Sequence, residues 1–456
     1  MIRSIVIVSV LLFSFLTPTI FAQEPSPLMA EQIKNEGLRS LGSFKMLQEL
    51  TTIGSRLSGS DGYEKAVRWG RKELQGVGCD SVWLQPVMVP CWVRGGTEKA
   101  RVCYGKSQES LSICALGGSI ATPKNGLRSD VIEVKSFKEL HQLGAKVSGK
   151  IIFFNRPLDV TKVSVGDAYG EAVDQRNSGA VEAAKDGAIA VIVRSMTNIV
   201  DDTPHTGMMV YDDLVKKIPA VAVSTVGANR LSELLRTDKG LIVELFLDCR
   251  TLPNIQSYNV IGQVYGNLNP NEIILLASHL DSWDKGAGAH DDGAGVVQCI
   301  EALKLLRQLN LKPKRTIRIV LFANEENGLQ GAKKYAEDED NKTKKHIAAI
   351  ESDCGGFQPR GFSVKTDTTS FEKIKNYSNA LSVIDANQFR MGGCGNDINE
   401  LGKSGTVCFG LNPDSQRYFD YHHSDHDTID KVNPRELELG AVALAILSWT
   451  IAQNGI

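Results

Sequence analysis

Between His279 and Gly295 the chain reads His279-Leu280-Asp281-Ser282 and then Gly288-Ala289-His290-Asp291-Asp292-Gly293-Ala294-Gly295. An imidazole, a carboxylate two residues on, and a further pair of carboxylates at a glycine-rich turn thus lie close together in sequence. Three more segments carry the same kinds of side chain: Asn324-Glu325-Glu326-Asn327-Gly328, Glu351-Ser352-Asp353 and Tyr421-His422-His423-Ser424. Together they offer nitrogen and carboxylate ligands, a spare carboxylate beside one of them, and another carboxylate able to orient a ligand. A site that holds two divalent cations and activates water needs this inventory.

Each residue type suggests a role. His279 can ligate through one ring nitrogen. Asp281 projects to the same side of an extended chain and can hold the other nitrogen. The bland alternative is a surface His-x-Asp pair. Asp291, at the turn before a helix, can bridge two cations through its two oxygens, while Asp292 points elsewhere and caps the helix. Glu325 and Glu326 follow an apolar strand and would repel one another unless cations or a proton separate them. Glu326 reads as a ligand and Glu325 as the general base over the activated water, later its acid. Asp353 closes one metal position, although strand alternation leaves Glu351 as a competitor. His422, His423 and His426 stand beside Asp425 and Asp427, and residue chemistry alone does not choose among them.

These groups need elements to position them. After Asn254 the pattern is βαβα: strands at Ile273–Ala277, Thr316–Phe322, Ile347–Ile350 and Thr406–Phe409, and helices at Ala294–Leu309, from Leu329 to Tyr335, at Phe371–Ala380 and at Arg435–Ile451. Such alternation predicts a largely parallel sheet covered on both faces, with chemistry at the carboxyl ends of its strands. His279, Glu325, Glu326 and Asp353 all fall at such ends. Upstream, Met29–Leu50 and Gly62–Gly76 have helical spacing. From about 90 to 250 the texture is that of a small mixed domain: strands at Ile151–Phe154, Ala188–Val193 and Pro219–Val223, and helices at Ala180–Asp186 and Gly227–Leu235.

The 456 residues are 42% hydrophobic and 23% charged with a net charge of −2, which fits a soluble globular protein of more than one domain. There is no basic field to hold nucleic acid. Arg3, the apolar run Ile5–Leu16 and the small-residue end at Ala22 read as a signal peptide over 1–22, hence a secreted or periplasmic protein. No second segment of that length and apolarity is expected, so no stable membrane insertion follows signal removal. Nine cysteines remain. One disulfide is expected among Cys91, Cys103 and Cys114, and the absence of Cys-x-x-Cys argues against a structural zinc knuckle.

Taken together, His279-Leu280-Asp281-Ser282, Asp291-Asp292-Gly293-Ala294-Gly295, the run from Phe322 to Gly331, Glu351-Ser352-Asp353 and His423-Ser424-Asp425-His426-Asp427-Thr428 resemble the M28 family of zinc exopeptidases. Upstream, Gly54-Ser55-Arg56-Leu57-Ser58-Gly59-Ser60, Pro86-Val87-Met88-Val89-Pro90 and Ala115-Leu116-Gly117-Gly118-Ser119 resemble its carboxypeptidase Q branch. Segment 147–235 resembles a protease-associated insert domain, through Ser148–Ile152 and Asp186–Ile192. The resemblance implies two Zn2+ per chain: His279 and Asp353 on one ion, Glu326 and His423 on the other, and Asp291 between them. It selects His423 because the ligand stands four residues before the Asp of Asp427-Thr428. Many aminopeptidases of the family carry an oxyanion-stabilising Tyr just before that His; here the position is His422. Cys354 and Cys394 lie near the site by the same analogy. Cobalt or manganese suit the same ligands.

The expected fold is α/β: a mostly parallel mixed sheet with helices on both faces, plus an inserted mixed α/β domain. The expected boundaries are 1–22 signal peptide, 23–90 first part of the peptidase domain, 91–252 insert and 253–456 main part. The expected function is hydrolysis of terminal peptide bonds of dipeptides or short peptides, as an aminopeptidase, carboxypeptidase or dipeptidase. Homodimers occur among relatives, and the chain itself does not decide this. Two alternatives belong to other classes: an inactive binding protein on the peptidase fold, and a glutaminyl-cyclase-like zinc enzyme, whose kind lacks the insert.

Overall fold

Seven consecutive residues, Ile273–His279, are buried, as a strand covered on both faces requires. They belong to a computed structural model that describes residues 27–338, 341 and 344–456; the expected signal segment 1–22 lies outside the described residues. In chain order the strands are β1 (Ser81–Val93), β2 (Glu98–Tyr104), β3 (Ser107–Leu111), β4 (Ile113–Ala115), β5 (Leu127–Val134), β6 (Ile151–Phe154), β7 (Ala190–Arg194) and β8 (Ala220–Val223). They continue with β9 (Ile242–Leu247), β10 (Arg250–Val264), β11 (Asn269–His279), β12 (Arg315–Phe322), β13 (Lys345–Glu351), β14 (Pro359–Lys365), β15 (Gln388–Met391) and β16 (Val407–Pro413).

Two eight-stranded sheets result, with orders β1-β10-β12-β11-β13-β16-β14-β15 and β3-β2-β9-β5-β6-β7-β8-β4. In the first, β12, β11, β13 and β16 run parallel at the centre, and antiparallel pairs flank them. The second sheet is built wholly from residues between Glu98 and Leu247. The long partners β1 and β10 carry the chain out of and back into the first sheet.

Helices cover both faces of the first sheet. On one side pack Pro27–Ser40, Gly42–Thr51, Asp61–Gly76, Ala294–Gln308 and Pro434–Asn454. On the other, Ala332 and Tyr335 of Gln330–Glu337 and Leu401 of Asn399–Lys403 close a smaller core over Leu275, Val320 and Phe322. Caps set the helix starts. The Ser60 hydroxyl accepts from the Tyr63 N–H at 3.2 Å, and Asn433 Oδ1 accepts from the Arg435 and Glu436 N–H groups ahead of the last helix.

Four expectations need correction. The apolar run over Met29–Leu50 is two helices broken at Leu41, which sits in left-handed backbone (φ 46°). The expected helix Phe371–Ala380 is a short α-helix, Thr368–Ile374, followed by 3-10 turns over Lys375–Ile384. A second segment long and apolar enough to cross a membrane does exist, Pro434–Asn454; 83% of its most apolar window is buried inside the protein. Its apolarity reflects a helix enclosed on nearly every side by sheet and neighbouring helices. The expected disulfide is also absent: all nine cysteines are free thiols. Cys91 lies in β1 of the first sheet, whereas Cys103 and Cys114 lie in β2 and β4 of the second.

Two acids, Glu301 and Glu438, are buried in this helical layer. Glu438 Oε2 accepts from the Ser43 N–H (3.0 Å) and hydroxyl (2.5 Å), and Oε1 has no partner. Burial, with a smaller push from Glu301, raises its pKa to about 7. The folded pKa therefore exceeds the unfolded one. Stability is full below the ordinary carboxylate range and is lost as pH rises through 7, because the folded state must then hold a buried charge. Glu438→Gln keeps both Ser43 bonds and cannot ionise. Its Tm relative to wild type is expected to rise by about 2–4 °C between roughly pH 5 and pH 8.5. A pH-independent difference in calorimetry would refute this.

Candidate active site

The carboxyl ends of the central parallel strands meet at one point. His279 ends β11, Glu325 and Glu326 follow β12, Asp353 follows β13, and the chain leaving β16 turns through Tyr418–Tyr421 to His422 and His423. His279 Nε2 lies 3.3 Å from Asp291 Oδ1 and 3.4 Å from Asp353 Oδ1. His423 Nε2 lies 3.2 Å from Asp291 Oδ2 and 3.1 Å from Glu326 Oε2. The two oxygens of Asp291 thus face one histidine each.

The donor set fits cations. Asp291 Oδ2 and Glu326 Oε1 are buried and accept no hydrogen bond. Unpartnered buried carboxylates are unfavourable unless a proton or a metal ion joins them. The protonation pattern reflects the same crowding. Burial, then the charge of Asp291, pushes Glu326 up to about 8. Burial opposes charge on His423, but Glu326 and Asp291 outweigh it and raise it to about 10. Burial is likewise overcome at Asp291, which the adjacent imidazoles of His279 and His423 hold well below the usual range. Burial, with Asp353 nearby, brings Glu325 to about 7.

The remaining acids hold the loops. The Asp281 carboxylate accepts from the Glu325 and Glu326 N–H groups (3.1 and 3.3 Å) and from the Ser58 hydroxyl (3.1 Å). His279 Nδ1 instead meets the Asp281 carbonyl at 3.1 Å, with the carboxylate oxygen at 3.8 Å. The expected carboxylate–imidazole bond is therefore corrected to a backbone one, because the turn after β12 claims the carboxylate. Asp292 behaves as a cap: Oδ1 accepts from the Gly295 N–H, and Oδ2 accepts from the His279 N–H. Glu351 turns away from the cluster to accept from the N–H groups of Asn396 and Ile398, which leaves Asp353 facing it. Of the three histidines, His426 binds Thr203 and Asp201 outside the cluster. His422 stacks on His423 at 3.5 Å, its Nε2 3.6 Å from Asp291 Oδ2. Burial and the charge on His423 keep His422 neutral. Neither Cys354 nor Cys394 joins the metal-competent groups.

Several residues take roles here that the motifs did not assign to them. Asp427 accepts from the His290 and Asp291 N–H groups (2.7 and 3.0 Å) and so aims Asp291. Arg56, fully buried, donates to the carbonyls of Leu280, Ala287 and Gly288 and ties the two ligand loops together. From the second-sheet region, the Thr206 carbonyl accepts from His423 Nδ1 at 3.3 Å. The backbone of Gly207 passes so close that a Cβ there would lie 2.7 Å from that nitrogen. Tyr169, Arg176 and Met208 from the same region, with Tyr418 and His422, complete a cavity of about 740 Å³ over the cluster.

Comparison with known proteins agrees with this geometry. Residues 259–448 match peptidase family M28. The chain is 35% identical to mouse (Mus musculus) carboxypeptidase Q over 401 residues, 88% of this chain and 83% of that one. A crystal structure of a peptidase M28 precursor from Shewanella amazonensis superposes with a TM-score of 0.88 at 36% identity, covering 94% of this chain and 97% of that one. A zinc aminopeptidase from Bacillus subtilis shares the fold at a TM-score of 0.63 and 18% identity, over 89% of this chain and 93% of that one.

Glu326, at about 8, and His423, at about 10, hold protons at neutral pH, and so does His279, where Asp353 and Asp291 outweigh burial and raise the pKa well above its ordinary value. Cation binding requires all three to be deprotonated. Zinc uptake by metal-depleted protein at about pH 7 is therefore expected to release about three protons per chain, read by titration in weak buffer. Retained zinc after dialysis is expected to fall as the pH drops below neutral. Uptake without acidification would contradict the ligand assignment.

Proposed function

This chain belongs to peptidase family M28 and is a metallopeptidase, and from that premise we propose a zinc exopeptidase that holds two ions and acts on short peptides. His279 and Asp353 would hold one ion, Glu326 and His423 the other, with Asp291 shared. The observation that carries this reading is the position of Asp291, one oxygen toward each histidine. When bound, such a pair acidifies water and polarises the scissile carbonyl.

The protein's own groups do the rest. Glu325 stands at the cavity wall, its Oε1 held at 2.8 Å by Asn396 Nδ2 and its backbone N–H by Asp281. Its pKa of about 7 suits a group that takes a proton from water and returns it to the leaving amine near neutrality. Neutral His422 lines the same cavity and can donate to the oxyanion that forms at the carbonyl, in the place where many family members carry Tyr. A cavity of about 740 Å³ roofed by the second-sheet region suits a short peptide.

The same reading makes 1–22 an export signal and 91–252 an insert within a peptidase domain formed by 23–90 and 253–456. The separation of the two sheets along the chain supports that division.

Glu325→Gln retains an oxygen for Asn396 and removes the base. It is expected to lower kcat on a dipeptide library by about 10²–10⁴-fold while zinc analysis still finds two ions per chain. Unchanged turnover would remove Glu325 from its role. A chain that saturates at one zinc would remove the paired site.

A further inference from the structure

Cys394 and Cys408 are free thiols that meet beside the active site, and the mechanism uses neither. Cys408 lies in β16 and is fully buried; Cys394 stands in the loop after β15 and is 2% exposed. The Cys408 thiol donates a hydrogen bond to the Cys394 sulfur. Loop and strand are packed tightly there: a Cβ on Gly410, two residues along β16, would lie 3.1 Å from the Cys394 Cα. Cys408 Sγ also lies 3.6 Å from the Ile398 carbonyl, and Cys394 Sγ 3.8 Å from Asn399 Oδ1, so both sulfurs are held against the same loop.

Their surroundings make Cys394 the nucleophile. The bond from Cys408, with help from the charge of Lys365, outweighs burial and holds Cys394 below the ordinary thiol value. The same bond, together with burial, holds Cys408 above it. A cavity of about 400 Å³, lined by Cys394, Lys365 and the neighbouring glycines, opens beside Cys394 and has room for a small reagent.

The loop that carries Cys394 also touches the base. Two residues on, Asn396 Nδ2 holds Glu325 Oε1 at 2.8 Å, and the N–H groups of Asn396 and Ile398 hold Glu351. β16 is paired on both edges, to β13 and β14, and is fixed. Two bonded sulfurs stand closer than two thiols in contact. Closing that bond draws the loop toward the strand and shifts Asn396 against a base that stays at the end of β12.

We propose that Cys394 and Cys408 form a redox pair: their oxidation to a disulfide displaces Asn396 from Glu325 and slows turnover, and reduction restores it. The effect on turnover rests on the peptidase reading above; formation of the bond does not. The oxidant is a small disulfide, RSSR. The Cys394 thiolate attacks one of its sulfurs, the reagent's S–S bond breaks, and RS⁻ leaves and takes up a proton. Cys408, losing its proton, then attacks the Cys394 sulfur of the mixed disulfide and expels the second RS⁻, which is protonated in turn. Two protein thiols are oxidised and RSSR is reduced to two RSH.

The test exposes zinc-loaded wild type to bis(2-hydroxyethyl) disulfide, removes the reagent, and maps the alkylated protein by mass spectrometry. Peptides joined through Cys394 and Cys408 are expected. With them kcat on a dipeptide is expected to fall about tenfold at unchanged KM and zinc content, and to recover in tris(2-carboxyethyl)phosphine. Cys408→Ala is expected to match reduced wild type and to keep its kcat after the same treatment. If Cys408→Ala does not fold, Cys394→Ser and the wild-type map decide. A hydroxyethylthio group on Cys394 without the cross-link, or no reaction at either sulfur, overturns the inference and leaves the peptidase reading intact. So does a cross-link that leaves kcat unchanged, or a loss of kcat that Cys408→Ala suffers equally. No hydrolysis of any peptide by reduced, zinc-loaded wild type overturns the peptidase reading and the effect on turnover with it.

Discussion

Like charges crowded out of water are the constraint on which this structure depends. Asp291, Glu326, Asp353 and Glu325 converge with two imidazoles in a space where each carboxylate raises the cost of ionising the next. The fold divides its buried acids into two groups. Asp281, Asp292, Glu351 and Asp427 accept backbone N–H groups and fix loops. Asp291, Glu326 and Asp353 accept from no backbone donor among the described residues and line the cavity. The division is a physical criterion for ligand against scaffold: a carboxylate supplied with N–H donors has little capacity left for a cation.

The parallel centre of the first sheet makes the convergence possible. Adjacent parallel strands end on the same side, so residues far apart in sequence, such as Asp291 and Asp427 at a separation of 136, arrive within hydrogen-bonding distance. Precision comes from the layer beneath. Asp281 ties the turn after β12 to the end of β11, Asp427 ties the histidine loop to the Asp291 turn, and Arg56 ties both to the amino-terminal segment. The second sheet then closes the site from above. Its Thr206 carbonyl holds the outer nitrogen of His423, and its Arg176 brings positive charge to a wall otherwise lined by acids. The roof therefore touches the chemistry as well as excluding water from it.

Where the sequence misled, tertiary context was responsible. The His-x-Asp spacing is compatible with a carboxylate–imidazole bond, but two backbone N–H groups from the turn after β12 compete for that carboxylate and take it. The closing helix has the composition of a membrane span because burial on every side selects the same apolar residues that lipid would. Three cysteines close in sequence are divided between two sheets. Roles that depend on which neighbour arrives first in space are not encoded in spacing along the chain.

The sequence by itself determined the identities and order of the ligand-type residues, the alternation of strands and helices that places them at strand ends, and the motifs that resemble a family. Local periodicity and residue chemistry suffice for that, since they act over a few positions. The motif resemblance selected Asp353 and His423; the tertiary structure supplied the reason, with Glu351 taken by the N–H groups of Asn396 and Ile398 and His422 stacked on His423, and only it decided that Arg176, in a helix of the second-sheet region, reaches the cluster. These outcomes depend on competition among donors and acceptors that are distant in sequence, and the competition exists only once the chain has folded.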